Sequence, residues 1–188
     1  MTEIEKMRAG RLYNFGSPDI TARLTVAKRL CTKLQTLTIG DKGYRETLRE
    51  LIPGIPDSTH IAPPFHCDHG TEIRMGHHTF VNYNCTMLDG GGITIGNHVL
   101  IGPNCQLYTP EHPMDYIARR DSVETGKPIT IGDDTWLCGG VIVCPGVKIG
   151  SRCIIAAGSV VTRDVPDDCM AAGNPAVVKK KLNTKQPK

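Results

Sequence analysis

Residues 131–165 read IGDDTWLCGGVIVCPGVKIGSRCIIAAGSVVTRDV. An aliphatic residue returns at every sixth position, which matches neither the 3.6-residue period of a helix nor the two-residue alternation of a strand. The members of this series are Ile131, Leu137, Val143, Ile149, Ile155 and Val161. Each is followed by a small residue or threonine, and three positions later by another small or β-branched residue. This hexapeptide pattern is typical of a parallel β-helix, in which short strands and tight corners repeat around a three-sided prism.

The same count of six begins upstream, directly after the prolines at positions 53 and 56. Its predicted inward-facing members are Ile55, Ile61, Cys67, Ile73, Thr79 and Cys85. The count fails at Gly91 and resumes at Ile95, which predicts a four-residue insertion at residues 89–92. A second, polar and proline-punctuated interruption at about 108–128 predicts an inserted loop. Insertions into repeat proteins map to loops on one face, often the binding face.

The first part of the chain is helical in character. Thr2 and Glu5 match a capping box, and Ser17 followed by Pro18 matches a helix start. Apolar residues then recur at three- and four-residue spacing, which predicts a helix of about 18 residues. We therefore predict a helical segment at 1–54, a β-helix at 55–165, and a cap with a basic tail at 166–188, whose last residues we expect to be disordered.

Composition narrows the class of protein. The chain has 188 residues with 20 glycines, 3 phenylalanines and a single tryptophan, which favours one domain with many tight corners. The net charge of +3 is small, so neither nucleic acid nor a membrane surface is expected as a partner. Without a signal peptide or a run of about 18 apolar residues, we expect a cytoplasmic protein.

The eight cysteines contain no Cys-x-x-Cys pair, which argues against a disulfide framework. Cys67 and Cys85 occupy the aliphatic position of the hexad, and we expect them to be small buried hydrophobic side chains. The cluster at residues 66–69, His-Cys-Asp-His, invites a metal site. However, Cys67 should point inward and its neighbours outward, so we expect no metal.

Several motifs give the chain a resemblance to a known family. They are RAGRLY at 8–13, the turn at Asp89, TPEHP at 109–113, IGDDTW at 131–136 and AAGNPA at 171–176. In this order, across nearly the whole chain, they resemble the maltose and galactoside O-acetyltransferases. The resemblance implies a left-handed β-helix, a homotrimer, and acetyl-CoA bound at clefts between subunits. The left hand comes from the resemblance alone, because general crossover statistics favour the right hand.

The resemblance also implies site residues. His112 matches the catalytic histidine of the family, and imidazole is suited to take a proton near neutral pH; otherwise it is a solvated loop residue. Asn82 and Asp89 match segments that contact the acceptor and orient the histidine, although each could be a corner or turn residue. The family carries a second acid where this chain has Gly90, which leaves the acceptor open.

Two further residues are assigned to the acceptor end. Trp136 should face outward near the CoA and acceptor cleft, or be covered by a neighbouring subunit. Asp19 could contact the acceptor, but a helix-start role explains it equally well.

For the acetyl-CoA donor, the resemblance points to one corner row of small and cationic residues. Its members are Gly139, Ala157, Thr162, Arg163 and Lys180. Small residues would let the pantetheine arm lie against the backbone, and cations would meet the phosphates. The alternatives are plain corner geometry for the small residues and a solvated tail for Lys180.

The function predicted from these residues is acetyl transfer from acetyl-CoA to a sugar hydroxyl. The expected acceptor is the 6-hydroxyl of a glucosyl or galactosyl unit such as maltose, attacked directly in a ternary complex with His112 as base. Serine, an antibiotic or an oligosaccharide remains an alternative acceptor. A non-catalytic scaffold or a zinc hydratase on the same β-helix is the alternative from another class.

Overall fold

The computed structural model describes residues 1–183, and its central part is a three-sided prism of parallel coils. We number the faces in the order in which the chain meets them. The first face contains β2 (His60–Ile61), β5 (Phe80–Val81), β8 (Leu100–Ile101), β13 (Trp136–Leu137), β16 (Ile154–Ile155) and β18 (Cys169–Gly173). The second contains β3 (Phe65–Cys67), β6 (Cys85–Leu88), β9 (Gln106–Tyr108), β14 (Ile142–Val143) and β17 (Val160–Val161). The third contains β4 (Ile73–Met75), β7 (Ile93–Ile95), β12 (Ile129–Ile131) and β15 (Lys148–Ile149).

The interior of the prism is filled by the aliphatic residues of the hexads. Each two-residue strand turns one side chain outward and one inward, and the inward members at Leu137, Val143, Ile149 and Ile155 are completely buried. The predicted mainly β fold, a left-handed parallel β-helix with an N-terminal helical part and a C-terminal cap, is confirmed. The buried thiols of Cys67 and Cys85 agree with their predicted role as small hydrophobic side chains.

The sequence predicts one four-residue insertion at 89–92, whereas the structure has two separate insertions of two residues each. Ile131 pairs with Ile149, eighteen residues on, whereas Phe65 pairs with Cys85, twenty residues on, and Met75 likewise with Ile95. Two extra residues therefore lie in each of two successive coils. A slip of two residues preserves the inward and outward alternation of a strand, so the count of six could not detect the first slip.

All the extra residues, including those of the long loop, lie between the second and third faces. We call this edge the insertion corner, and we call the edge between the first and second faces the plain corner. At the insertion corner the chain makes two more strands, β10 (Pro110–Glu111) and β11 (Val123–Gly126), with a 3-10 turn at Ala118–Asp121 between them. Strand β11 pairs antiparallel with both β10 and β1 (Tyr13–Asn14). The loop is thus fixed to the N-terminal segment.

Three helices precede the prism: α1 (Glu3–Arg8), α2 (Pro18–Leu34) and α3 (Tyr44–Leu51). The capping box of Thr2 with Glu5 and the helix start at Ser17 are present as predicted. Helices α2 and α3 share one hydrophobic core with the first coil. The buried Tyr44 hydroxyl donates to the Ile61 carbonyl at 2.8 Å and accepts from the Ile61 N–H at 2.9 Å, which ties α3 to the base of the prism.

The C-terminal part continues the first face. Strand β18 pairs parallel with β16, and β19 (Ala176–Lys181) folds back antiparallel onto β18. Lys179, Lys180 and Lys181 therefore lie in a strand rather than in the expected tail, while Lys185 and Lys188 lie outside the described residues. No helix in residues 1–183 is long and apolar enough to cross a membrane.

Candidate active site

His112 follows β10 at the insertion corner, and its imidazole is half exposed. Its Nδ1 lies 3.3 Å from the carbonyl oxygen of Val123 on β11. The Phe15 ring and the imidazole form a T-shaped pair with 5.7 Å between ring centroids. Contacts from the backbone of β11 and from the Phe15 ring thus orient the imidazole. A loop histidine surrounded by solvent would lack such contacts.

A carboxylate lies close to this histidine. Glu124 Oε2 lies 3.8 Å from His112 Nε2, and the Tyr13 hydroxyl donates a hydrogen bond to Glu124 Oε1. Tyr13 is almost completely buried, and burial followed by the Glu124 carboxylate raises the pKa of its hydroxyl. The tyrosine therefore stays a protonated donor that holds the carboxylate beside the imidazole. Sequence reasoning missed both residues, because no spacing pattern connects positions 13, 112 and 124.

Asp68 is a second acidic residue that the sequence did not assign to the site. It lies at the insertion corner of the first coil, within electrostatic reach of Asp89 and Glu124. Burial, followed by repulsion from these two carboxylates, raises its pKa to about 6. Its side chain makes no hydrogen bond within residues 1–183, so its oxygens are available to accept from hydroxyl groups of a ligand.

Asp89 differs from its predicted role. The sequence predicts contact with the acceptor, but the residue is completely buried. Its Oδ1 accepts from the N–H groups of Asp68 and His69 at 3.1 and 2.8 Å, and its Oδ2 accepts from Glu72 at 3.2 Å. Burial raises its pKa to about 6. Asp89 therefore organises the insertion corner of the preceding coil, and no contact joins it to His112 in the described part of the chain.

A cleft of about 580 Å³ opens beside His112. Leu12 and Met114 form an apolar side, and Met114 is nearly fully exposed. Glu111 and Lys127 form a polar side and pair with each other at 2.7 Å. The cleft is large enough for a sugar unit and combines apolar surface with a few polar groups, as ligand sites commonly do.

The plain corner has a different character, because successive coils place small residues there. Gly139 and Ala157 occupy equivalent positions, and the Gly158 N–H bonds to the Gly139 carbonyl at 3.0 Å. A Cβ on Gly139 would meet nothing closer than the Pro103 oxygen at 3.4 Å. At Gly139 and Ala157 this edge therefore carries only small residues, which suits the narrow pantetheine arm of CoA. Asn82 lies on the same corner, half-buried, with its Oδ1 accepting from the Tyr83 N–H.

The remaining predicted donor residues do not share that corner. Thr162 and Arg163 follow β17 and so lie at the insertion corner of the last coil, and Lys180 lies on β19. The predicted single row is thus split over both edges of the second face, because one strand separates Ala157 from Thr162. Trp136 faces outward as predicted and is 47% exposed, in register with Leu100 and Ile154.

Asp19 lies in the first turn of α2, where it accepts from the Ser17 hydroxyl at 2.6 Å. This hydrogen bond lowers its pKa, which matches the helix-start alternative. In the His-Cys-Asp-His segment, His66 is exposed while His69 is buried. Residues 1–183 contain no group of three His, Cys, Asp or Glu side chains that could hold a metal ion.

Asn82 and His112 lie at opposite edges of the second face. The remaining corner residues 83–84 and the four residues of β6 (Cys85–Leu88) separate Asn82 from the insertion corner, and β6 alone spans roughly 13 Å at the rise of a strand. The cleft beside His112 accordingly does not include Asn82. A parallel β-helix with a histidine loop on one edge and small residues on another is the architecture that the resemblance to the sugar O-acetyltransferases implies.

Comparison with known proteins extends this assignment. The family model "Bacterial transferase hexapeptide (six repeats)" matches residues 128–163. Nodulation protein L of Rhizobium meliloti is 42% identical over 184 residues, covering 95% of this chain and 98% of the relative.

Two solved structures are similar over nearly their whole length. A hexapeptide-repeat acetyltransferase of Vibrio cholerae in complex with acetyl-CoA is 42% identical, with a TM-score of 0.90 and coverage of 97% of this chain and 100% of the other. A maltose O-acetyltransferase of Clostridium difficile is 37% identical, with a TM-score of 0.94 and coverage of 97% and 98%. The chain belongs to the maltose and galactoside O-acetyltransferase family of hexapeptide-repeat proteins. It is an acetyl-CoA-dependent acetyltransferase, which decides against the scaffold and hydratase alternatives.

Proposed function

We propose that the protein transfers the acetyl group of acetyl-CoA to a sugar hydroxyl, with His112 as general base. The observation that carries this proposal is the position of the His112 imidazole, at an open cleft and with Glu124 facing its Nε2 at 3.8 Å. A general base needs an accessible nitrogen and a neighbour that stabilises the charged form.

The tautomer of His112 follows from its contacts. With the Val123 carbonyl near Nδ1, the proton is assigned to Nδ1 and the lone pair to Nε2. In the reaction, Nε2 takes the proton of the attacking hydroxyl while the sugar oxygen bonds to the thioester carbonyl carbon. The carbon–sulfur bond then breaks, and the proton passes from Nε2 to the departing CoA sulfur. Glu124 stabilises the imidazolium between these two proton transfers.

The proposed acceptor is the 6-hydroxyl of a glucosyl or galactosyl unit, as in maltose. A similar protein is named as a maltose O-acetyltransferase, and the carboxylate of Asp68 beside the site suits the hydroxyl groups of a sugar. Asn82 and Trp136 would meet the acceptor at the plain corner, where Gly139 and Ala157 carry the donor. We propose that the CoA phosphates are bound near the last coil, by Thr162, Arg163 and Lys180.

The proposal includes a homotrimer with sites between subunits. It is supported by the separation of Asn82 from His112, since a second copy can bring these residues together. The exposed side chains of Trp136 and Leu100 on the first face, at 47% and 51%, also suit a surface covered by a neighbour.

The test is CoA release measured over a panel of sugars, serine and aminoglycosides. His112→Ala should lower kcat at least about 100-fold, while acetyl-CoA affinity and oligomeric state remain unchanged. His77→Ala, an exposed histidine at the edge between the third and first faces, is the matched control and should keep full activity. Unchanged turnover in His112→Ala would exclude the histidine as base, and turnover with serine but with no sugar would exclude the sugar acceptor.

A further inference from the structure

A second cleft, of about 470 Å³, lies on the outer surface of the third face next to the insertion corner. Its lining residues are Arg8, Glu72, Arg74, Gly90, Gly91, Gly92, Ile93, Thr94 and Pro128. It shares none of these with the cleft beside His112. Nothing in the acetyl-transfer reaction accounts for it.

The charges in this cleft do not cancel. The carboxylate of Glu72 is shared by two arginines, accepting from Arg8 Nη2 at 2.8 Å and also from Arg23. Arg74 is exposed and makes no ion pair or hydrogen bond within residues 1–183. The other nearby acid is Asp89, beneath the corner, whose carboxylate is bonded to three backbone N–H groups. Of the charged residues that line the cleft, two are arginines, Arg8 and Arg74, and one is a carboxylate, Glu72, so the lining carries excess positive charge.

The donors in the cleft come from well-ordered elements. Arg74 on β4 is in register with Thr94 on β7, so the two residues are neighbours on the same face, and both line the cleft. The opposite wall is backbone, because residues 90–92 are all glycine. At Gly91 a Cβ would lie 2.7 Å from the Lys127 nitrogen, so no side chain fits there. The N–H groups of Gly91 and Gly92 are bonded to the Thr109 hydroxyl and the Asp89 carbonyl, so the side chains across the cleft supply the free donors.

We propose that this cleft binds a small molecule bearing a phosphate group. A tetrahedral oxyanion matches the bidentate geometry of a guanidinium group. Arg74 supplies the guanidinium that is free of carboxylates in the described chain, since Arg8 donates its Nε and Nη2 to Glu72, and Thr94 is in register with Arg74. The volume accommodates a phosphorylated sugar or a comparable metabolite. The site is distinct from the CoA track, which lies at the plain corner across the second face.

Inorganic phosphate is the probe, titrated calorimetrically into the full-length protein at constant ionic strength maintained with sodium chloride. Saturable binding is expected, and Arg74→Gln should weaken it about tenfold, as for the loss of one charge-assisted hydrogen bond. Lys148→Gln is the matched control. Lys148 lies on the outer surface of the same face, in register with Thr130, and loses the same charge outside the cleft.

The outcomes separate this site from the acetyl-transfer site. Acetyl transfer to an uncharged sugar should be the same in Arg74→Gln and the unmodified protein, and CoA should not displace phosphate. Displacement by CoA would assign the phosphate signal to the donor track and overturn the proposal. So would phosphate binding no stronger than that of chloride, or an equal loss of affinity in Lys148→Gln.

Discussion

At the scale of single residues, the site depends on groups that tune and hold one another. Tyr13 holds Glu124, Glu124 faces His112, and Phe15 packs on the imidazole. Asp68 is different, because it lies among other carboxylates without a hydrogen bond in the described chain and has a pKa raised to about 6. A group in such an environment is kept at a cost in stability, which is typical of functional sites.

This cost gives a pH-dependent prediction for Asp68→Asn. A raised carboxyl pKa means that folding disfavours the ionised form, so the penalty is absent below about pH 4 and complete above the folded pKa near 6. The substitution removes the charge, and the variant should be more stable by roughly 1–3 kcal/mol at pH 7.5 and unchanged at pH 4. Urea unfolding at both pH values measures the difference.

The same variant should lose activity toward the sugar, mainly as a higher KM, if Asp68 accepts hydroxyl groups of the acceptor. Asp121→Asn, at an exposed position of the 3-10 turn, is the control and should show no pH-dependent gain. An equal change in stability at pH 4 and pH 7.5 would contradict the electrostatic account of Asp68.

At the scale of elements, the two edges of the second face have opposite designs. The insertion corner receives every extra residue and holds the proposed base, whereas the plain corner carries small residues at Gly139, Gly140, Ala156, Ala157 and Gly158. The glycines at the plain corner are required for different reasons. A Cβ on Gly102 would lie 2.7 Å from the Gly139 nitrogen, but one on Gly139 would meet nothing closer than 3.4 Å. Gly102 is needed for packing between coils, and Gly139 is not.

The prediction from this contrast is that Gly139→Val folds normally but binds acetyl-CoA at least about tenfold more weakly, because the added methyl groups obstruct the track. Gly102→Val should instead lower the melting temperature by several degrees, since backbone must move to admit it. Calorimetry with acetyl-CoA and thermal unfolding provide the two measurements. Unimpaired acetyl-CoA binding by Gly139→Val would remove the donor track from the plain corner.

At the scale of the whole molecule, the proposed site is not complete within one chain. His112 and Asn82 lie at opposite edges of the second face, with the length of a strand, roughly 13 Å, between the edges. The outward surface of the first face presents Trp136 and Leu100 to solvent in the isolated chain. Both features are accounted for if copies of the chain pack side by side, so that the insertion corner of one copy meets the plain corner of the next.

Subunit mixing tests this arrangement directly. His112→Ala and Asn82→Ala should each be inactive alone. When the two are unfolded, mixed in equal amounts and refolded together, intact interfaces should form at random and restore up to about one quarter of the original activity. Refolding each variant by itself is the control. Persistent inactivity of a mixture that forms trimers would show that each site is built within one chain.

The amino-acid sequence alone determined the prism and its interior. Inward and outward positions alternate along every strand, so a local count of six identifies Leu137 or Ile155 as core without knowledge of their neighbours. The capping box at Thr2 and the outward position of Trp136 were likewise predictable from neighbouring residues in the sequence. The histidine loop was recognisable because it breaks the count and matches a family motif.

Only the tertiary structure decided what surrounds the histidine. A two-residue slip leaves alternation intact, so pairing between coils was needed to show that all the insertions lie on one edge. Tyr13 and Glu124 are more than a hundred residues apart and meet only because β1 pairs with β11. Asp89 lay on the predicted site but is buried, because three backbone N–H groups of the preceding coil converge on it. Contacts of this range depend on how segments pack, and no local spacing encodes them.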